Sequence, residues 1–247
     1  MSNAGLERWK YSLALLFFDE EDNVVPVVES LDDVLARAGL DCQLVLVDNG
    51  SRDRTGELIE GLVGKFPRCS RVTVPENLGY GWGAIQGLAA CAGEWIGYMD
   101  GDAQISPEDV VRFLRKVRPG RPLIKVRRRQ RRDGLLRASV SEAYIILFSF
   151  LFSTRIYDVN AKPVLFRREL LAVLELKSRD WFIDAELTIK ASRLGLSFFE
   201  VPVIFRRRPA GQSSVRASTA WEFLGNMLRY RIGKELKEWE KRARSRL

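Results

Sequence analysis

Short apolar runs alternate with segments of helical periodicity over the first 120 residues. "SLALLFF" (12–18), "QLVLV" (43–47), "RVTV" (71–74) and "EWIGYM" (94–99) are continuous or nearly continuous apolar stretches of strand length. Between them, Val24, Val27, Val28, Leu31, Val34 and Leu35 recur at helical spacing, and "RTGELIEGLVGKF", "GAIQGLAACA" and residues 106–117 read as three further helices. Runs of this kind, apolar throughout rather than alternating, belong to strands buried on both faces. The pattern predicts an α/β fold, a mostly parallel sheet with helices on both faces.

In such sheets ligands bind beyond the carboxyl ends of the strands, so the loops that follow the runs are the place to look for chemistry. They read "DEED" (19–22), "DNGSRDRT" (48–55), "ENLGYGWG" (76–83) and "DGDAQ" (100–104). Each loop alone is an ordinary turn or helix cap, because Asp, Asn, Ser and Gly favour both. Four of them at one sheet edge make a ligand crevice. Asp100, Asp102 and the Gln104 amide offer hard oxygen ligands suited to Mg²⁺ or Mn²⁺ bridging to a diphosphate. A cap role for Asp102 is weakened because the next helix has its own cap, Ser106, followed by Pro107.

Composition narrows the chemistry. The chain has 247 residues and no histidine, which excludes a histidine general base, a Ser–His–Asp site and a zinc site built on imidazole. Three cysteines without metal-type spacing (Cys42, Cys69, Cys91) indicate a reduced, cytoplasmic protein. The opening "MSNA" (1–4) reads as a tag remnant. Net charge is +8, concentrated in "KVRRRQRR" (125–132) and in the stretch from Arg229 to Leu247, which implies phosphate or anionic lipid partners. No nucleic-acid partner is expected, since no recognition-helix or aromatic-interleaved pattern accompanies the arginines. "GYGWGA" (79–84) formally fits a dinucleotide fingerprint, but it follows the third strand rather than an initial βα unit.

The succession "FFDEEDNV", "VDNGSRDRT", "NLGYGWGAIQG", "GEWIGYMDGDAQ", with "DAELTIKASRLGLSFFEVPVIFRRRPAGQSSVR" (184–216) near the end, resembles family 2 glycosyltransferases of the GT-A fold, in their dolichol- and polyprenyl-phosphate sugar transferase branch. The resemblance covers residues 11–216. It implies an inverting transfer from a UDP- or GDP-sugar with Mg²⁺ or Mn²⁺, most naturally to a lipid phosphate. Phe18, Glu20, Asp48, Gly50, Ser51, Asn77, Gly81 and Asp100 match its nucleotide-binding positions, Asp100, Asp102 and Gln104 its metal motif, and Arg137 with Ser141 its acceptor-phosphate pair. Leu16, Phe18 and Asp19 replace the usual Pro-x-Tyr-Asn opening, and Asn49 replaces the second Asp of the DDGS pattern.

The alternative acceptor is a soluble hydroxyl compound, which would need a carboxylate base such as Asp184 or Glu186. Asp184 also reads as the N-cap of a helix over 185–194. A sugar nucleotidyltransferase on the same kind of sheet is a further alternative. The expected organisation is a transferase domain over 5–216 and a basic amphipathic helix over 217–247, with Trp221, Leu224, Leu228, Ile232, Leu236 and Trp239 on one face. The longest apolar run, "AYIILFSFLF" (143–152), is too short to span a bilayer. It fits either a core helix or, with the arginine cluster, Arg206–Arg208 and the terminal helix, a peripheral membrane surface at the cytoplasmic face.

Overall fold

The computed structural model describes residues 9–129, 145–154, 156–206 and 218–246, the side chains of 218–222 excepted. The four apolar runs form β1 (Tyr11–Phe17), β2 (Cys42–Asp48), β3 (Cys69–Thr73) and β4 (Trp95–Asp100). The helices between them are α1 (Glu21–Arg37), α2 (Thr55–Lys65) and α3 (Tyr80–Ala90), and α4 (Pro107–Leu114) follows β4. Ser106 caps α4 as its sequence predicts, its Oγ accepting from the Asp109 N–H at 3.2 Å, with Pro107 at the first helical position.

Three more strands complete the sheet, β5 (Leu123–Arg128), β6 (Val164–Arg167) and β7 (Phe198–Val203). Helix α5 (145–152) lies between β5 and β6. Helices α6 (Glu169–Leu174) and α7 (Ile183–Arg193) lie between β6 and β7, and α8 (Ser218–Ile232) and α9 (Glu235–Arg244) end the chain. The strand order is β3-β2-β1-β4-β6-β5-β7. All neighbours are parallel except β6, which runs antiparallel to both β4 and β5. The carboxyl ends of the six parallel strands therefore share one edge with the amino end of β6.

One apolar layer packs α1, α2 and α4 on one face through Leu13, Leu15, Phe17, Val28 and Phe113. The other packs α3, α6 and α7 through Ala14, Leu16, Val47, Leu88 and Leu187. A third cluster joins α5, α7, α8 and α9 through Phe148, Phe152, Phe182, Ile189, Met227 and Trp239.

Two expectations change here. The C-terminal segment is two helices, not one, and its expected apolar face is split: Leu236 and Trp239 are buried, whereas Leu228 and Ile232 are exposed. The run 143–152 is not wholly core or wholly surface. In its described part Phe148 and Phe152 are buried, while Phe150 is 82% and Ile146 70% exposed. No described helix is long and apolar enough to cross a membrane.

Candidate active site

β1 and β4 are adjacent and parallel, with α1 and α4 on one face and α3, which leads into β4, on the other, so the loops that follow the two strands share one sheet edge, and the candidate crevice lies between their carboxyl ends. The DGD loop is pinned there by the Gly101 N–H, which donates to Leu16 O at 3.0 Å. Asp100 is partly exposed at the end of β4, and Asp102 is buried at 7% exposure. Asp102 Oδ1 accepts from the Gln104 N–H at 3.1 Å, a turn that puts Ala103 in the left-handed region at φ 59°. Gln104 also clamps the chain leaving β7. Its backbone O accepts from Arg206 N at 2.8 Å, and its Nε2 donates to Arg206 O at 3.3 Å.

Two carboxylates and an amide oxygen fit a small hard cation. Mg²⁺ is typically held by one or two carboxylates and completed by substrate phosphates and water. Among the described residues no three acidic or cysteine side chains converge.

The β1 and β2 loops are tied to each other. Asp19 N–H donates to Ser51 Oγ at 3.2 Å, Arg52 N–H to Asp19 Oδ1 at 2.7 Å, Glu20 N–H to Thr55 Oγ1 at 2.9 Å and Glu21 N–H to Asp53 Oδ2 at 3.1 Å. Burial would raise the Asp53 carboxyl, but hydrogen bonds from Thr55 and Glu21 outweigh it and lower its pKa. Glu20 is buried, its carboxylate accepting from Asn23 Nδ2, and Phe18 is half-buried beside it. Asp48 Oδ1 accepts from the Ser51 N–H at 2.9 Å. Its Oδ2 lies against Gly56 at the start of α2, where a Cβ would come within 2.6 Å. Asp48 therefore shapes its loop as well as lining the crevice.

Gly50 takes φ 78°, and a Cβ there would meet the Asn77 backbone N at 2.5 Å. Asn77 in turn accepts from the Gly79 N–H through its Oδ1 at 2.8 Å. Asn49 is buried and donates from Nδ2 to Gly79 O at 3.1 Å. An aspartate cannot make that bond, which gives the departure at this position a structural role. Gly81 serves close packing: a Cβ would fall 2.2 Å from Ser178 O, and the Trp82 N–H donates to Arg179 O at 3.0 Å. Its approach is thus to the backbone of 178–180.

The structure adds a group that pattern reading missed. Lys162 immediately precedes Pro163 and the antiparallel β6, which brings it to the same edge. Its Nζ is 3.0 Å from Asp184 Oδ2 and 3.8 Å from Asp100 Oδ1. Asp184 Oδ1 accepts from Tyr98 OH at 2.7 Å. The ammonium lies 4.3 Å from the Tyr80 ring centre and 5.4 Å from that of Trp181, and those rings stack at 4.4 Å. Burial alone would lower Lys162, but Asp100 and Asp184 outweigh it and raise its pKa, so it stays charged. Burial, then the charges of Asp100 and Asp184, pushes the Tyr80 hydroxyl well above its ordinary range.

Asp184 is corrected accordingly. It is no N-cap, because α7 begins at Ile183 and Asp180 supplies the bond at the helix start, accepting from the Phe182 N–H at 2.9 Å. Asp184 sits inside the helix at 3% exposure, beneath the site rather than open to an acceptor. Glu186 is fully buried and accepts from Lys190 Nζ and Tyr230 OH, both at 2.7 Å, and from the Lys177 and Ser178 N–H groups. Burial opposes its charge, but Lys190 and these donors lower its pKa.

Two members of the basic run 125–132 differ from expectation, while Arg129 is exposed and 130–132 lie outside the described residues. Lys125 is 2% exposed and donates to Val159 O at 2.6 Å, and Arg128 is bidentate to Asp158 at 2.7 and 2.8 Å. Neither is available to a lipid surface. Arg137, Ser141 and Arg207–Arg208 lie outside the described residues.

The sequence profile described as Glycosyl transferase family 2 matches residues 12–173, well over half of the chain. The chain belongs to glycosyl transferase family 2. The curated relatives that this family 2 chain matches include undecaprenyl-phosphate 4-deoxy-4-formamido-L-arabinose transferases. The one from Klebsiella pneumoniae (strain 342) is 24% identical over 206 residues, covering 83% of this chain and 62% of the relative. That of Pseudomonas fluorescens (strain Pf0-1) is 26% identical over 205 residues, covering 82% and 59%. The chain thus spans about three-fifths of the length of these relatives.

Solved structures with the same fold include glucosyl-3-phosphoglycerate synthase from Mycobacterium tuberculosis. In complex with Mn²⁺, UDP and glucosyl-3-phosphoglycerate it is 21% identical with a TM-score of 0.69, over 93% of this chain and 81% of that one. The same enzyme with Mg²⁺ and UDP is 20% identical, also at a TM-score of 0.69, over 93% and 80%. The family 2 chain therefore has the GT-A fold predicted for it.

Proposed function

We propose that this family 2 chain transfers a sugar, with inversion, from a UDP- or GDP-sugar to a polyprenyl phosphate. The observation that carries the choice of acceptor is the state of Asp184 and Glu186. A hydroxyl acceptor needs a base, and the two carboxylates best placed in the sequence for that task are buried and engaged by Lys162, Tyr98, Lys190 and Tyr230. A phosphomonoester needs no base. Its second pKa is about 6, so at pH 7 it is largely a dianion and already nucleophilic. The names of the curated relatives point to the same acceptor class.

In this reading the diphosphate lies across the β1/β4 crevice. Asp102, supported by Asp100 and the Gln104 oxygen, holds Mg²⁺ or Mn²⁺, which when bound neutralises the leaving diphosphate. Glu20, Asp48, Gly50, Ser51 and Asn77 shape the nucleoside end through the loop bonds described above. The acceptor phosphate is assigned to Arg137 and Ser141. Its lipid tail lies toward α5, where Ile146, Leu147 and Phe150 are exposed, with Leu228 and Ile232 beside Arg229 and Arg231 on α8 as a second apolar and basic surface. Each basic residue near anionic lipid adds about 1 kcal/mol, diminished by salt, which suits reversible attachment.

The test is transfer from radiolabelled UDP- and GDP-sugars to polyprenyl phosphate and, separately, to soluble hydroxyl acceptors. Label entering the lipid fraction as a sugar phosphodiester is the expected result. Label passing only to hydroxyl acceptors, in an Asp184-dependent way, would overturn the acceptor assignment, and formation of a sugar nucleotide would overturn transfer itself.

A further inference from the structure

We propose that Lys162 is a fixed counter-ion of the cation site: it holds Asp100 in place from beneath, and its charge limits how tightly the site takes a divalent cation before a nucleotide arrives. The inference rests on the β1/β4 crevice being the donor site. Beside Asp102, a group of three charges meets at its floor: the carboxylates of Asp100 and Asp184 and the Lys162 ammonium. Asp184 is fixed by Tyr98 OH at 2.7 Å and by Lys162 at 3.0 Å. Asp100, in contrast, is the partly exposed member, 3.8 Å from Lys162. That distance is too long for a hydrogen bond, so the hold on Asp100 is Coulombic. The stacked Tyr80 and Trp181 rings flank the ammonium. The antiparallel entry of β6 makes this possible, because it delivers a residue from the start of a strand to an edge otherwise made of strand ends.

The group carries a net charge of about −1 with Lys162 present and about −2 without it. Removing the ammonium should strengthen binding of a bare divalent cation while releasing Asp100. A lysine that merely props the fold would weaken both together. Lys162 is thus a positioning residue, and its test must separate cation binding from turnover.

The experiment measures Mn²⁺ affinity without nucleotide, by electron paramagnetic resonance of free Mn²⁺, together with kcat and donor KM. Lys162→Met should bind Mn²⁺ at least about 3-fold more tightly, with kcat at least about 10-fold lower and KM changed less. Lys162→Arg should restore part of kcat. Lys162→Met leaves Asp184 buried without its partner and is at risk of misfolding, so the double variant Lys162→Met, Asp184→Asn decides the matter. The introduced asparagine still accepts from Tyr98, and the net charge returns to about −1. Its Mn²⁺ affinity should return to that of the native chain while kcat stays low. Native kcat in the double variant, or Mn²⁺ affinity that falls in Lys162→Met together with melting temperature, would overturn the proposal. Asp102→Asn serves as the control: if it leaves Mn²⁺ affinity unchanged, the donor-site reading itself has failed. If it abolishes Mn²⁺ binding while the Lys162 variants behave as native, only the lysine proposal falls.

Discussion

The two halves of the sheet handle charge in opposite ways. In the β1–β4 half the buried acids, Glu20, Asp48 and Asp102, all stand at strand ends, and among the described residues the buried polar pair within the strands, Ser12 and Gln43, is neutral and hydrogen-bonded to each other. In the other half, from β5 onward, Lys125, Asp158, Lys162, Asp184, Glu186 and Lys190 are buried among the strands and helices and are engaged with one another or with backbone carbonyls. Charge at a rim can meet a ligand. Charge in an interior must be matched inside the protein, because leaving it unmatched is costly. In the function proposed above, the first half binds and the second holds a frame around what is bound.

The frame reaches the site through a strap. Glu186 grips the Lys177 and Ser178 N–H groups, Asp180 accepts from Asn226 Nδ2 at 2.8 Å, and the strap between them packs its carbonyls on Gly79 and Gly81. Tyr230 of α8 binds the same Glu186 at 2.7 Å. The C-terminal helices thus support the loop that carries Trp181 to Lys162.

The contrast can be broken first at the rim. Asp102→Asn should lower transfer by at least about 10²-fold, since several kcal/mol of charge stabilisation on the leaving diphosphate are at stake. The melting temperature should stay near native, because an asparagine Oδ1 still accepts from Gln104. Steady-state kinetics beside a thermal melt check both halves of that statement.

An interior change should do the reverse. Glu186→Ala strands Lys190, Tyr230 and two backbone N–H groups and should cost about 3–5 kcal/mol of stability, read by urea unfolding. Glu186→Gln, which keeps acceptor oxygen, should cost less.

Lys125 gives a pH signature. Burial pushes its ammonium down from 10.5 to about 8, against the opposing pull of Asp184, Asp158 and Glu200. Between about pH 8 and 10.5 the unfolded chain binds the extra proton, so this lysine's contribution to stability rises with pH across that window and is least favourable below it. Compared with Lys125→Met, the native chain should gain on the order of 3 kcal/mol from pH 8 to 10.5. Parallel unfolding series in the two proteins measure it, and a flat difference would show that Lys125 is matched as well when charged as when neutral.

The smallest effect is expected at the surface. Phe150→Glu should reduce flotation with anionic liposomes at low salt several-fold, as an aromatic inserted only in part at an interface contributes a fraction of the about 1.5–3 kcal/mol of full burial. Turnover of a short, soluble polyprenyl phosphate analogue should be unchanged.

This division also explains what was legible in the sequence. The β1–β4 half could be read because buried parallel strands are plain apolar runs and their loops carry Asp, Asn and Gly in clusters. In the other half the helix expected over 185–194 is there as α7, Ile183–Arg193, but the buried charges could not be read, for a physical reason. Lys125 lies in "KVRRRQRR" and looks like surface charge until β5 places it inward onto Val159 O. "DAELTIK" reads as a half-polar helix, yet Asp184, Glu186, Thr188 and Lys190 are all buried. The partners that make this tolerable are distant in sequence: Tyr98 is 86 residues from Asp184, and Tyr230 is 44 from Glu186. No local pattern encodes such pairs. The single apolar face expected over 217–247 failed similarly, because Gly233 lies between α8 and α9: α8 turns Met227 inward and leaves Leu228 and Ile232 exposed, whereas α9 buries Leu236 and Trp239.

The central claim is that a nucleotide diphosphate and its cation occupy the crevice between the ends of β1 and β4. A crystal structure of the chain with UDP or GDP and Mn²⁺, with the metal located by anomalous scattering, tests it most directly. The account predicts a single strong Mn²⁺ peak in contact with Asp102 and the diphosphate, with the base toward Asp48 and Glu20. A peak that touches diphosphate away from Asp100 and Asp102, or a nucleotide seated at any other edge of the sheet, would contradict it.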